Sequence, residues 1–222
     1  MQANAPHKID LLRALPKTKR NIAARGEAKN PEVIRIAKEY GKEYFDGPRE
    51  YGYGGYRYDG RWLPVAKDMV AYFKLKPGDR FLDIGCAKGF LLQDLQTVCP
   101  GLDVFGLDIS EYGLSQVDVS IKGHVVRGNA RALPFKTGAF AAAVSLNTLH
   151  NLPKEGVIEG LKEIQRVCGG NAFIQVDSYL TPEGKAAFES WVLTAEFHDY
   201  PEQWIQLFQA AGYTGGYDWT IV

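Results

Sequence analysis

From residue 76 onward, short apolar runs alternate with amphipathic helical patterns, and no other feature limits the fold as tightly. Lys76 to Asp79 (KPGD) reads as a turn. RFLDI at 80–84 reads as a short strand, and Gly85 to Gly89 as a tight loop. Phe90 to Val98 follows as a helix. The run at 102–107 (LDVFGL) is a second strand that ends at Asp108, and Ser110 can cap the next helix with Glu111 in its first turn. HVVR at 124–127 is a third strand, and FAAAVSL at 140–146 is a fourth that is apolar throughout. Lys154 to Val167 is amphipathic and helical, and Ala172 to Val176 is a fifth strand. Strands alternating with helices need right-handed crossovers, which give a parallel sheet covered on both faces. The expected fold class is therefore α/β, a Rossmann-like parallel sheet flanked by helices. Toward the end of the chain, Pro182 to Trp191 and Pro201 to Ala211 read as helices, the second closed by Gly212. Tyr217 to Val222 reads as a last strand.

Before this pattern the composition differs. Residues 1–30 are mixed and basic, with Lys17, Lys19, Arg20 and Arg25, and read as a solvated or partly helical arm. Asn30-Pro31 looks like a helix start. Val33, Ile34, Ala37, Tyr40, Tyr44 and Phe45 give the following segment an apolar face. Next comes YGYGGYRYDGRW at 51–62, with four tyrosines, four glycines and a tryptophan in twelve residues. A helix over Pro64 to Phe73 leads into the alternating region. The expected division is an N-terminal helical arm and aromatic-glycine lid over 1–63, then one domain over 64–222.

Bulk properties exclude several classes. The chain has 222 residues, 45% of them hydrophobic, so a buried core is available and wholesale disorder is excluded. The formal net charge is zero, which argues against nucleic acid as the main partner. Cys86, Cys99 and Cys168 form no paired spacing and no Cys/His zinc pattern, so no metal site is expected. The reading is a reduced, cytoplasmic protein. The N-terminal segment lacks the apolar core of a signal peptide. No run approaches the roughly 20 apolar residues that span a membrane.

In open α/β sheets, ligands bind at the carboxyl ends of the strands near the point where strand order reverses. FLDIGCAKGF at 81–90 belongs at such a place. Gly85 permits a sharp turn, and Gly89 lets a helix begin close beneath a ligand. Asp108, at the end of the next strand, can accept hydrogen bonds from both hydroxyls of a ribose. A nucleoside-containing ligand follows. A dinucleotide is disfavoured, because the loop lacks the G-x-G-x-x-G spacing that admits a pyrophosphate, and because Asp83 stands where such motifs are apolar. The plain structural alternative is that glycines and acid merely close a strand–helix corner.

FLDIGCAKG, GLDIS, GNARALPF and FAAAVSLNTLHNL, in this order, resemble the motifs of class I S-adenosylmethionine-dependent methyltransferases of the small-molecule type (methyltransferase type 11-like). The resemblance covers roughly residues 64–178. It implies S-adenosyl-L-methionine as cofactor. It implies that Asp83, Gly85, Cys86, Ala87, Gly89 and Phe90 lie along the loop under the methionine part and ribose. Asp108 would hold the ribose hydroxyls and Ile109 would flank adenine. Asn129, Ala130 and Arg131 would lie at the adenine edge, and Leu146 and Asn147 would face the reactive centre. Two positions depart from the family pattern. Ala87 replaces a glycine and should fit if its φ stays negative, and Asn129 replaces an aspartate but can still accept and donate. Cys86 reads as a small packing residue and Lys88 as a solvated one.

Methyl transfer to a small acceptor needs alignment and, for some acceptors, a base. Catalytic candidates are His150 after the fourth strand, Asp177 after the fifth with Tyr179 nearby, and His198 with Tyr200 before the last helix. Each has a structural alternative: His150 can cap or pack, Asp177 can orient an amide, and the loop of His198 is poorly fixed by sequence. No Asn/Asp-Pro-Pro-Tyr/Phe motif, Pro-Cys pair or metal constellation points to amino-group, cytosine C5 or catechol-type chemistry. The aromatic-glycine stretch reads as a lid, with Tyr58 over the cofactor and Arg57 or Arg61 toward its carboxylate. Its alternative is a covering loop whose rings merely pack. The expected acceptor is a sugar, a nucleotide-linked intermediate or a natural-product precursor. Two further readings remain: a non-catalytic S-adenosylmethionine-binding sensor or assembly protein, and an RNA-directed methyltransferase. The oligomeric state, a homo-oligomer included, is open.

Overall fold

The computed structural model describes residues 5–16 and 22–221, so Lys17, Lys19 and Arg20 of the basic arm lie outside the described residues. In chain order the elements are β1 (His7–Lys8), α1 (Ile22–Ala28), α2 (Pro31–Lys38), α3 (Lys42–Asp46), α4 (Leu63–Phe73), β2 (Arg80–Ile84) and α5 (Phe90–Val98). They continue with β3 (Asp103–Asp108), α6 (Glu111–Ser115), β4 (Val125–Arg127), β5 (Ala142–Leu146) and α7 (Lys154–Cys168). The chain ends with β6 (Ala172–Ser178), α8 (Pro182–Trp191), α9 (Pro201–Ala210) and β7 (Gly216–Ile221).

Among the described residues the strands form one seven-stranded sheet in the order β1-β7-β6-β5-β2-β3-β4. All its pairings are parallel, as the strand–helix alternation requires. From β2 the chain winds outward through β3 and β4, then returns to the other side of β2 as β5, β6 and β7. The order therefore reverses between β2 and β5, and the cleft described below opens at the carboxyl ends of β2, β3 and β5. Apolar side chains fill both faces. Ile84, Ile174 and Val176 pack with Leu161, Ile164 and Trp204 on one side. Phe81, Val104 and Val144 pack with Val65, Met69 and Leu95 on the other.

The N-terminal region is tied to the sheet at several places. His7–Lys8 extend the edge beside β7, within the segment expected to be a separate arm. The Lys29 ammonium donates to the Glu189 carbonyl at 2.6 Å, joining the end of α1 to α8. The helix expected across 31–45 is broken in two. Tyr40 adopts φ +49 and Gly41 follows it, so α2 stops and α3 restarts in a new direction. Asn30 caps α2 by accepting from the amides of Glu32 and Val33.

Candidate functional site

The glycine loop turns sharply at Gly85, whose φ is +88 and whose amide donates to the Leu107 carbonyl at 2.7 Å. A side chain here would meet the Thr148 hydroxyl at 1.9 Å, so only glycine lets the loop after β5 approach this closely. The condition set on Ala87 is not met. Its φ is +52, a left-handed conformation in which a Cβ is strained. The turn delivers the Ala87 amide to Asp108 Oδ2 at 2.7 Å, while the Ser110 amide reaches Oδ1 at 2.7 Å. Both carboxylate oxygens are thus oriented, and each keeps a lone pair to offer. Burial raises the Asp108 pKa, and these amides oppose the shift.

The Ser110 hydroxyl accepts from the Gly113 amide at 2.8 Å and donates to the Tyr40 carbonyl at 2.6 Å. It thereby fixes the start of α6 and fastens the α2–α3 corner beside Asp108. From that corner Tyr40, Tyr44 and Phe45 present rings to the cleft, with Tyr40–Tyr44 and Tyr44–Phe45 in edge contact at 5.2 Å. The aromatic-glycine stretch folds back on α3. The Tyr53 amide donates to the Tyr44 carbonyl at 2.8 Å, and a Cβ on Gly52 would stand 2.2 Å from that carbonyl oxygen. Tyr53 consequently stacks on Phe45 at 5.7 Å and joins the cleft wall.

The cleft takes in about 750 Å³ of space, the solvent at its open mouth included. Of the residues expected at the cofactor, Gly85, Ala87, Asp108, Ile109, Asn129, Ala130, Leu146 and Asn147 line it. Asp83, Cys86, Gly89, Phe90, Arg131, Tyr58 and Arg61 do not. Asp83 is buried inside β2, where burial and then the Asp108 charge push its carboxyl up to about 8. Cys86 is buried under the loop against Gly106, and burial pushes its thiol well up. Arg131 pairs with Glu159, and Arg61 with Asp59. The Tyr58 hydroxyl donates to Asp94 at 2.6 Å. The solvated reading of Lys88 is corrected: it is buried, with Nζ at 2.7 Å from both oxygens of Asp46 and 2.9 Å from the Tyr56 carbonyl. Sequence reading missed the cleft-facing part of Tyr40, Tyr44, Phe45 and Tyr53. The Tyr40/Tyr44 spacing ahead of a glycine-broken helix was the available signal.

His150 and Asp177 come together because β5 and β6 are neighbours. The Asp177 amide donates to His150 Nδ1 at 3.2 Å, and Nε2 lies 3.6 Å from Asp177 Oδ2. Both residues are buried and neither lines the cleft. His198 also lies off the cleft, its Nδ1 3.1 Å from the Tyr179 hydroxyl, in an aromatic group with Phe188. Burial lowers its pKa. Tyr200 meets the Tyr179 ring edge-on at 4.7 Å.

These residues fit S-adenosylmethionine. Asp108 is buried at the cleft with its two carboxylate oxygens held by backbone amides, an acceptor pair of the kind two vicinal hydroxyls require. Ile109, Ala130 and Leu152 give the cleft an apolar lining. Asn129 Oδ1 is engaged by the Arg131 amide at 3.0 Å, which fixes the plane of its carboxamide. No group of His, Cys, Asp and Glu among the described residues is placed to hold a metal ion, and none of their helices is long and apolar enough to cross a membrane.

Residues 81–170 match the family described as "Methyltransferase domain". Demethylmenaquinone methyltransferase of Symbiobacterium thermophilum is 32% identical over 128 residues, covering 54% of this chain and 50% of that protein. Squalene methyltransferase 1 of Botryococcus braunii is 29% identical over 136 residues, covering 58% of this chain and 32% of its own. The match thus spans half or less of these relatives' length. Among solved structures, the YcgJ protein of Bacillus subtilis superposes with a TM-score of 0.53 at 16% identity, over 69% of this chain and 68% of its own. The cyclase SpnF gives 0.54 at 18% identity, over 67% and 56%. At such identities the likeness concerns the fold alone.

Proposed function

We propose that this chain, whose residues 81–170 match a methyltransferase domain, is a class I, S-adenosylmethionine-dependent methyltransferase that methylates a small-molecule acceptor in the cleft at the switch point. One observation carries the reading: Asp108, at the carboxyl end of β3, is held by the Ala87 and Ser110 amides with both oxygens oriented at the cleft. When bound, the cofactor supplies a methyl group already activated on a cationic sulfur. What the protein must add is mainly alignment and exclusion of water.

Each part of the site has work to do under this reading. Asp108 receives the ribose hydroxyls, and Ile109, Ala130 and Leu152 give the base an apolar seat. Tyr40, Tyr44, Phe45 and Tyr53 cover the cleft from the N-terminal side, which keeps the lid idea but moves it from Tyr58 and Arg61 to these rings. Both His150 nitrogens face Asp177, which favours a positioning part for the pair: it holds the loop carrying Asn147 and Thr148 against β6.

Calorimetric titration with S-adenosylmethionine and, separately, NAD tests the reading, repeated on Asp108→Ala. Saturable binding of S-adenosylmethionine alone is expected, weakened at least about tenfold by the substitution, as loss of charge-assisted hydrogen bonds requires. Binding of NAD instead, or of neither, overturns it.

A further inference from the structure

We infer that Thr194, on the loop between α8 and α9, is a positioning residue for the cofactor: it holds the cleft-lining rings Tyr40 and Tyr44 by their hydroxyls and ties them to the loop after β5. The inference rests on the proposed use of S-adenosylmethionine. It extends that reading to a residue that does not itself line the cleft.

The loop between α8 and α9 is attached on two sides. Toward the sheet, the His150 carbonyl accepts from the Glu196 amide at 2.9 Å and from the Phe197 amide at 3.1 Å. A carbonyl oxygen has two lone pairs, so both amides are served at once. His150 is itself buried and accepts from the Asp177 amide on β6, which makes it a firm anchor. Toward the N-terminal cover, Leu193 is buried with Val33 and Ala37, and Tyr44 packs against this group. The Glu196 carboxylate pairs with Lys38 at 3.0 Å. Thr194 lies in sequence between these two contacts with the cover, and it is buried.

The Thr194 hydroxyl is in hydrogen-bonding contact with the phenols of both Tyr40 and Tyr44. The Tyr44 phenol also meets that of Tyr53. All three tyrosines line the cleft, so one chain of hydroxyls runs from the cover to a residue outside it. Tyr40 needs such support. Its φ of +49 is a left-handed conformation that disfavours a side chain and persists only where the surroundings hold it. The Ser110 hydroxyl holds its carbonyl at 2.6 Å, and Thr194 holds its phenol. A ring fixed before the ligand arrives loses little freedom on binding, so the gain in affinity comes from preorganisation and needs no contact between Thr194 and the ligand. Valine at position 194 would keep the shape of the side chain and deprive both phenols of this partner.

Calorimetric titration of the full chain with S-adenosylhomocysteine tests the inference, with urea denaturation of the same proteins beside it. Thr194→Val is expected to weaken binding at least about fivefold, and Thr194→Ser, which keeps the hydroxyl, to stay within about twofold of the wild type. The double variant Tyr40→Phe, Tyr44→Phe removes the same contacts from the other end and should lose affinity to about the same extent. Adding Thr194→Val to it should then cost less than about twofold more. A Thr194→Val protein that loses stability but binds within about twofold of the wild type overturns the inference. So does a loss that serine fails to recover, or one that adds in full to the loss from the tyrosines. If Thr194→Val does not fold, the tyrosine double variant decides, and unchanged affinity there overturns the inference. Failure of the wild type to bind S-adenosylhomocysteine overturns the cofactor reading instead, and the inference with it.

Discussion

Lys88 and Asp46 join the glycine loop to the N-terminal cover: the ammonium sits 2.7 Å from both carboxylate oxygens, at a site where the lysine side chain is 7% exposed and the aspartate 24%. The Tyr112 hydroxyl donates to the same carboxylate at 2.6 Å, and the Tyr56 amide reaches it at 3.3 Å. One aspartate at the end of α3 therefore gathers the loop after β2, helix α6 and the aromatic-glycine stretch.

Removing either partner should cost unequally. Asp46→Ala strands a buried ammonium and should destabilise the chain by about 3 kcal/mol, whereas Lys88→Met should cost about 1 kcal/mol, because Asp46 keeps Tyr112 and access to water. Urea denaturation of both variants checks the order, and a larger loss in Lys88→Met would contradict it. Burial works to raise the Asp46 pKa, but Lys88 and Tyr112 outweigh it and hold the carboxyl below its ordinary 3.8. The tie is therefore complete above that pH and is lost as pH falls through the lower folded value.

The sheet was legible because hydrophobic periodicity reports burial directly, and β2, β3, β5 and β6 are buried along nearly their whole length. Asp108 was legible because a strand end followed by a serine cap places an acid at a helix entry. The wall of the cleft was not. A run of tyrosines spaced by glycines does not tell which ring turns inward; that depends on Tyr40 taking a left-handed φ and on Gly52 passing under the Tyr44 carbonyl. Lys88 was misread for a related reason, since its partner lies far back in the chain and no local pattern announces it. His150 and Asp177 were each legible as candidates, but their pairing follows from β5 and β6 being neighbours in the sheet.

Ala87→Gly should stabilise the protein. Alanine at φ +52 bears left-handed strain of roughly 1–2 kcal/mol, and glycine gives back roughly 0.5–1 kcal/mol through its freer unfolded chain. A net gain of about 0.5–1 kcal/mol in denaturant unfolding is expected, with Asp108 still bonded to the residue 87 amide. A loss of stability would show that the Ala87 methyl packs usefully.

Substitutions at His150 should separate holding from proton transfer. His150→Leu leaves the buried Asp177 amide without its acceptor and should cost about 2 kcal/mol. In His150→Asn the side-chain oxygen stands near the position of Nδ1, so most of that loss should be recovered. If stability and methyl transfer recover together in the asparagine variant, His150 is a positioning residue. If stability returns while transfer stays abolished, it is a base.

Asp83 should make stability fall as pH rises. Its carboxyl is pushed up to about 8 by burial and then by Asp108, against an ordinary value of 3.8. Between those values the folded protein holds a proton that the unfolded chain has released. Folding is then disfavoured progressively, by on the order of 1 kcal/mol per pH unit, until the folded carboxyl ionises and the penalty levels off. Asp83→Asn keeps the shape but cannot ionise, so it should remove this slope. The variant should gain most over the wild type at pH 8 and above and show little advantage near pH 4. Thermal unfolding of both proteins across this range checks the sign. Parallel curves would mean that Asp83 is ionised in the folded state, with a hydrogen-bonding environment strong enough to offset its burial.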